Sequence, residues 1–258
     1  MSPYRFFLNS PLPEGRGPHE LALSAADVHH AVTVLRMAVG DEITVVEPEG
    51  DAWLMRVTST EGGALAAELW EPLPKGETLQ LTLVLGIAKG DKVDLVVEKA
   101  TELGVEAIRT VVAERSVVRL SVEKGRQRVE RWKRVAQAAA KQSRRTTIPD
   151  ISDPVPFAEF LSEADSFDTV LVPWEEASAT GPGIGEALDE MGVTSGSRVA
   201  VVIGPEGGLT SEEVYALEAA GARAVTLGRT VLRSETAGIV AVALCLYELG
   251  ALGGRERG

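Results

Sequence analysis

Val201-Val202-Ile203-Gly204-Pro205-Glu206-Gly207-Gly208-Leu209-Thr210 and Leu227-Gly228-Arg229-Thr230-Val231-Leu232-Arg233-Ser234-Glu235-Thr236-Ala237 share one grammar: an apolar strand ends in a loop that opens a helix. Repeated strand-to-helix turns of this kind place both loops at the carboxyl edge of a parallel sheet, where open α/β folds bind ligands. Two loops on one edge make a pocket. Thr210 followed by Glu213 spells a capping box, and Gly221 closes the helix it starts. The second loop carries two arginines yet leads into 237–249, apolar nearly all round and expected to be buried. Glu235 in its first turn is favoured by the helix dipole, which is the plainer reading of that residue. Neither loop is a phosphate cradle, because no G-x-x-x-x-G-K-[ST] occurs and no G-x-G-x-x-G follows a strand directly.

Outward from these loops, strands predicted over 79–87, 108–113, 169–172, 198–203 and 224–227 alternate with helical pattern, including a helix over 92–103 ended by Gly104. Alternation of this kind predicts a parallel sheet covered on both faces. The first 70 or so residues differ. Short strands over 43–47, 52–58 and 64–70, with one helix near 25–35, suggest a small β-barrel. Glu71-Pro72-Leu73-Pro74-Lys75-Gly76 reads as a linker, dividing the chain into domains 1–74 and 75–258. Gly181-Pro182-Gly183-Ile184-Gly185 has the spacing of a dinucleotide loop, but a polar gap separates it from the preceding strand. It is read as a loop before a helix.

The 258 residues, 45% of them hydrophobic, can bury an ample core. No run of about 18 apolar residues and no basic-then-apolar leader is present, which predicts a soluble, cytoplasmic protein without a membrane segment. The single Cys245 sits in an apolar helix and is expected to pack, and His19, His29 and His30 lack ligand spacing. No metal is expected.

A net charge of −12 argues at first against nucleic acid, but its distribution reverses the argument. Between Arg115 and Arg145, eleven Lys and Arg stand against two Glu. A concentrated basic segment on an acidic chain is an electrostatic footprint. At about 100° per residue, Val129, Trp132, Val135, Ala136 and Ala139 gather on one face of a helix over 129–145, with Arg131, Arg134, Lys141 and Arg145 on the other. A solvated face normally mixes signs, whereas this one favours RNA. Residues 1–71, by contrast, carry four arginines against eleven acids, so any RNA contact there needs a small patch such as Arg5 and Arg36.

In order, spacing and wording, the two loops resemble the cofactor-binding half of the SPOUT methyltransferases. More narrowly they resemble the uridine-N3 methyltransferases of the ribosomal RNA small subunit methyltransferase E family. Glu98-Lys99-Ala100-Thr101-Glu102-Leu103-Gly104-Val105, Glu114-Arg115-Ser116-Val117-Val118-Arg119, the stretch from Arg131-Trp132 to Gln142-Ser143-Arg144, and 30–36 agree with that family. The resemblance implies a C-terminal parallel sheet with a trefoil knot behind a PUA-like RNA-binding barrel, S-adenosylmethionine as methyl donor, and N3 of a uridine in small-subunit (16S) ribosomal RNA as acceptor. It also implies a homodimer that acts on ribosomal RNA or the small subunit. By the same analogy the cofactor lies against Ile203, Gly204, Gly208, Leu227, Gly228, Leu232 and Ala237. Arg233 stabilises charge on the deprotonated base and Glu235 accepts its proton or orients the base, the plainer reading being an Arg233–Glu235 salt bridge that shapes the loop. Glu206 either braces the glycine loop or faces a partner subunit. Arg5, Arg36, Arg115, Arg119, Arg131, Arg134, Lys141, Arg144 and Arg145 are the RNA-binding candidates. Alternatives are another SPOUT enzyme, acting on a ribose 2′-hydroxyl or a transfer RNA base, and a non-catalytic ribosome-assembly factor.

Overall fold

The computed structural model describes residues 4–15, 17–73, 80–88, 92–116, 122–177, 181–194 and 196–253; Arg119, Arg16 and 74–76 of the expected linker, with the boundary placed at 74, lie outside them. The chain forms two compact units, Met1–Glu77 with Ser143–Thr147, and Thr78–Gln142 with Ile148–Gly258.

In the first unit, β1 (Tyr4–Phe7), β2 (Pro18–Glu20), β3 (Glu42–Val46), β4 (Ala52–Ser59) and β5 (Ala66–Pro72) form one sheet in the order β1-β3-β4-β5-β2. All pairs are antiparallel except β1 with β3. The short helix α1 (Ala25–His29) continues as one π-helical stretch, His30–Val34. Alternate residues point inward, so Phe6, Ile43, Val45, Met55, Val57 and Ala67 share one core.

The second unit contains β6 (Leu81–Gly86), α2 (Lys92–Leu103), β7 (Ala107–Val112), α3 (Val122–Gln142), β8 (Asp150–Ile151), β9 (Val155–Pro156), α4 (Phe157–Glu163), β10 (Thr169–Pro173), α5 (Ile184–Glu190), β11 (Val199–Ile203), α6 (Ser211–Ala219), β12 (Arg223–Val225) and α7 (Ser234–Glu248). Its sheet is parallel throughout, ordered β12-β10-β11-β6-β7-β8, with β9 also on β7. Period-two side chains split the core into two layers. Leu81, Leu83, Leu85, Val199, Val201 and Ile203 face α2, α3, α5 and α7. Val84, Val170, Val172, Ala200 and Val202 face α4 and α6. The carboxyl ends of β6, β10, β11 and β12 therefore all open on one edge.

Two expectations are corrected. The basic helix spans Val122–Gln142 and not 129–145: it begins two turns earlier, where Gly125 is buried against Pro154, and it has ended before Arg144 and Arg145. Arg144 has a φ of +62°, which no helix admits. Helix α7 starts at Ser234 and buries one side only, since Leu244 and Tyr247 are 38% and 49% exposed. In the glycine-rich decoy, Pro182 O accepts the Thr226 N–H at 3.0 Å, and a side chain at Gly185 would lie 2.7 Å from the Glu248 carboxylate. Gly185 thus lets α5 and α7 approach each other. Among the described residues no helix is long and apolar enough to cross a membrane.

Candidate active site

The first loop, 204–210, is wound tightly against its neighbours. A Cβ on Gly204 would stand 2.7 Å from Leu209 N and 2.8 Å from Gly208 C, so the loop folds back on itself at that point. Gly208, at φ +71°, donates its N–H to Pro205 O at 2.9 Å. The capping box forms as expected: Glu213 N–H donates to Thr210 Oγ1 at 3.2 Å and Thr210 N–H to Glu213 Oε2 at 2.9 Å. Glu213 also accepts the Glu114 N–H at 2.8 Å, and Arg115 Nη1 donates to Gly207 O at 3.1 Å. Arg115, an RNA candidate in the sequence, thus braces this loop from the end of β7.

The second loop, 226–233, walls a cleft of about 100 Å³ with the end of β10. Leu227, Gly228, Leu232 and Ala237, four of the seven expected cofactor residues, line it; facing them stand Trp174 and Glu175, which the sequence reading missed. Gly228 has φ +110°, and its N–H donates to Thr226 Oγ1 at 3.1 Å, while that hydroxyl donates to Gly228 O at 3.2 Å. Among the described residues, the main chain of Arg229, Thr230 and Val231 forms no hydrogen bond, leaving polar groups available to a ligand. Trp174 meets Tyr215 edge-on at 6.1 Å. Gly208 adjoins the cleft through Glu175, whose Oε1 lies 3.0 Å from where a Cβ would be. Ile203 is buried beneath Gly238. Gly204 lines a separate cavity of about 10 Å³ with Gly86, Lys92, Ser234 and Glu235, far too small for a nucleoside.

Arg233 is the exposed N-cap residue of α7; its carbonyl accepts the Ala237 N–H at 2.8 Å, and its side chain has no hydrogen bond or ion pair among the described residues. The salt bridge considered between Arg233 and Glu235 does not form. Glu235, its side chain 14% exposed, pairs instead with Lys92 at 3.8 Å and accepts from Ser234 Oγ at 3.3 Å. Lys92 also pairs with Glu206 at 3.3 Å. A lysine opening a helix, against the dipole, was the sequence signal that could have marked it.

Helix α3 buries Val129, Trp132, Ala136, Ala139 and Ala140. Asp94 of α2 takes Arg131 at 2.5 Å and the Trp132 Nε1–H at 3.1 Å, so Arg131 is committed to helix packing. Lys124, Arg126, Lys133 and Arg134 are exposed, together with Glu123 and Glu130, and Lys141 is half-buried. Neutralising Lys124, Lys133 and Arg134 together is expected to weaken RNA binding and flatten log K against log salt by roughly two to three, with cofactor affinity unchanged. Filter-binding titrations at several salt concentrations check it, and an unaltered slope would make this an ordinary solvated face.

Arg144 and Arg145 belong to the first unit, where Arg145 Nη2 donates to Thr147 Oγ1 at 3.0 Å. Arg5 of β1 is half-buried, and its Nε and Nη1 have no hydrogen-bond partner among the described residues. Burial first, then the neighbouring Arg144 charge, holds the Arg5 guanidinium below its ordinary pKa. Folding thus brings Arg5 to Arg144, while Arg36, exposed at φ +53°, stands on the π-helical turn's exit.

Burial, reinforced by Glu248, pushes the Cys245 thiol up to about 12. At pH 8 the thiolate fraction is then on the order of 10⁻⁴, and the folded protein is expected to resist iodoacetamide until denaturant is added, as mass spectrometry would read. Among the described residues no His, Cys, Asp or Glu group is arranged to hold a metal ion.

Residues 75–246 match the family described as RNA methyltransferase domain, and residues 23–69 match the RNA methyltransferase PUA domain. Ribosomal RNA small subunit methyltransferase E of Bacillus subtilis (strain 168) is 33% identical, over 91% of this chain and 93% of that protein. A crystal structure of the Neisseria gonorrhoeae protein of the same name, bound to S-adenosyl methionine, is 29% identical with a TM-score of 0.81, covering 95% of this chain and 97% of that one. A Legionella pneumophila methyltransferase in complex with the same cofactor is 25% identical with a TM-score of 0.75, over 95% and 98% of the two chains. Parallel sheet, paired loops and full-length likeness agree: the chain belongs to the ribosomal RNA small subunit methyltransferase E family.

Proposed function

We propose that this protein transfers the methyl group of S-adenosylmethionine to N3 of a uridine in small-subunit ribosomal RNA. The observation that carries the reading is a cation without a partner among the described residues, Arg233, standing on the loop that walls the cleft. The cleft's residues fit the cofactor: Leu227, Leu232 and Trp174 give apolar faces for adenine, and the main chain around Gly228 offers polar groups. When bound, the cofactor supplies an activated methyl on sulfur, and direct displacement needs neither a metal nor a covalent nucleophile.

What the protein must add is alignment and proton management. Uridine N3 is protonated at neutral pH and attacks only after that proton leaves. In this reading Arg233 stabilises the negative charge that develops on the base and Glu235 takes the proton, roles worth about 10²–10⁴-fold each. Residues 75–258 carry this chemistry in our reading. Residues 1–74 act as a PUA-like RNA-binding domain, touching phosphate through the Arg5 and Arg144 neighbourhood. The exposed apolar residues Leu244 and Tyr247 of α7 support a homodimer. The cytoplasm, where ribosomal RNA is assembled, is the compartment this reading requires.

The test is nucleoside mass mapping of small-subunit ribosomal RNA from cells lacking the protein, followed by methylation of that RNA in vitro. One N3-methyluridine should vanish and be restored by the purified enzyme. An unchanged N3-methyluridine inventory would refute the assignment.

A further inference from the structure

Lys92 is shared between the first loop of the site and the helix that follows the second. Its Nζ lies 3.3 Å from Glu206 Oε1 in the first loop and 3.8 Å from Glu235 Oε2 in the opening turn of α7. An ammonium at the start of α2 opposes the helix dipole, so its place there depends on these carboxylates. Glu235 is the more buried of the two, and a carboxylate removed from water needs a compensating partner. The adjoining cavity is small, lined among others by Gly86, Lys92, Ser234 and Glu235.

We propose that Lys92 is a positioning residue for methyl transfer, orienting the Glu235 carboxylate toward the substrate base with Glu206 as its standing second partner. The inference rests on the reading of Glu235 as the proton acceptor. In that step the N3–H bond breaks, its electron pair stays on the uracil ring, and the proton forms an O–H bond on Glu235. Glu235 is then neutral and its attraction to Lys92 falls away. Glu206 keeps the ammonium paired throughout, so proton transfer does not strand a charge inside the site.

Single-turnover methylation at saturating S-adenosylmethionine, with small-subunit ribosomal RNA as substrate, tests this on the full chain. Lys92→Met should slow methylation by about ten- to a hundredfold, the scale set by a misplaced catalytic group. Cofactor affinity by calorimetry should hold, and Lys92→Arg should recover most of the rate. Lys92→Met combined with Glu235→Gln should be no slower than Glu235→Gln alone, because the lysine acts through that carboxylate. Losses that multiply in the double variant, or a fast Lys92→Met beside a slow Glu235→Gln, would remove Lys92 from this role. A Lys92→Met enzyme that only binds cofactor weakly, with its saturated rate intact, would make the residue a loop brace. If Glu235→Gln itself keeps the normal rate, the proton-acceptor reading fails and this inference fails with it.

Discussion

Arg233→Ala is expected to cut single-turnover methylation by about two orders of magnitude or more while leaving S-adenosylmethionine affinity nearly intact. The geometry explains why the two should separate. Arg233 caps α7 without a side-chain hydrogen bond and pairs with no described residue, so removing it breaks no brace of the loop. In the proposed mechanism its guanidinium meets charge that exists only as uridine N3 loses its proton. The deficit should shrink at higher pH, where solvent base removes more of that proton unaided. Arg233→Lys should rescue in part, since a point-like ammonium cannot reproduce the planar fork that suits a uracil edge. Loss of cofactor binding with a normal saturated rate would instead make Arg233 a loop-shaping residue.

Gly86→Ala should be the most damaging single-methyl change near the site. A Cβ there would stand 2.4 Å from Pro205 N and 2.5 Å from Pro205 Cδ, against backbone that has nowhere to move. Overpacking of this kind costs about 1–3 kcal/mol or more, which in a domain of this size lowers Tm by roughly 2–4 °C per kcal/mol. Any variant that folds must push the first loop away from β6, and a displacement of about 1 Å at a catalytic loop can cost on the order of 10²-fold in rate. Calorimetry and single-turnover assays read the two effects; a normal Tm with normal activity would mean the strand end and loop are looser than described. The same reasoning changes what Gly204 reports. Because its Cβ would strike Leu209 and Gly208 of its own loop, replacing it tests loop folding before cofactor contact.

Local pattern revealed whatever local chemistry dictates. Strands alternating with helical pattern announced a parallel sheet covered on both faces, and the Thr210–Glu213 box fixed the start of α6. Gly104, at φ +123°, ended α2 where expected. What stayed hidden was assembled across the chain. Strands β1 and β2 are four and three residues long, too short for a periodicity to show, and β2 opens on a proline. Arg115, Arg131 and Lys92 found carboxylates or carbonyls distant in sequence, so a basic segment that looked like one RNA face proved partly structural. Trp174 and Glu175 enter the cleft only because β10 pairs between β11 and β12. A Gly125 inside α3 masked its first two turns.

The first unit is completed by Ser143–Thr147, where a Cβ on Gly50 would come within 3.3 Å of Thr147 Cγ2 and Arg144 reaches the field of Arg5. Vectorial synthesis therefore cannot finish this unit when its own strands leave the ribosome. The stretch from Thr78 to Gln142 must be added first, a wait of several seconds at about 5–20 residues per second. During that interval the nascent sheet lacks its last segment, and Arg5 waits without the neighbour that defines its surroundings. A fragment ending at Glu77 reproduces this waiting state, and it should be cleaved by protease faster than the same sheet in the whole chain.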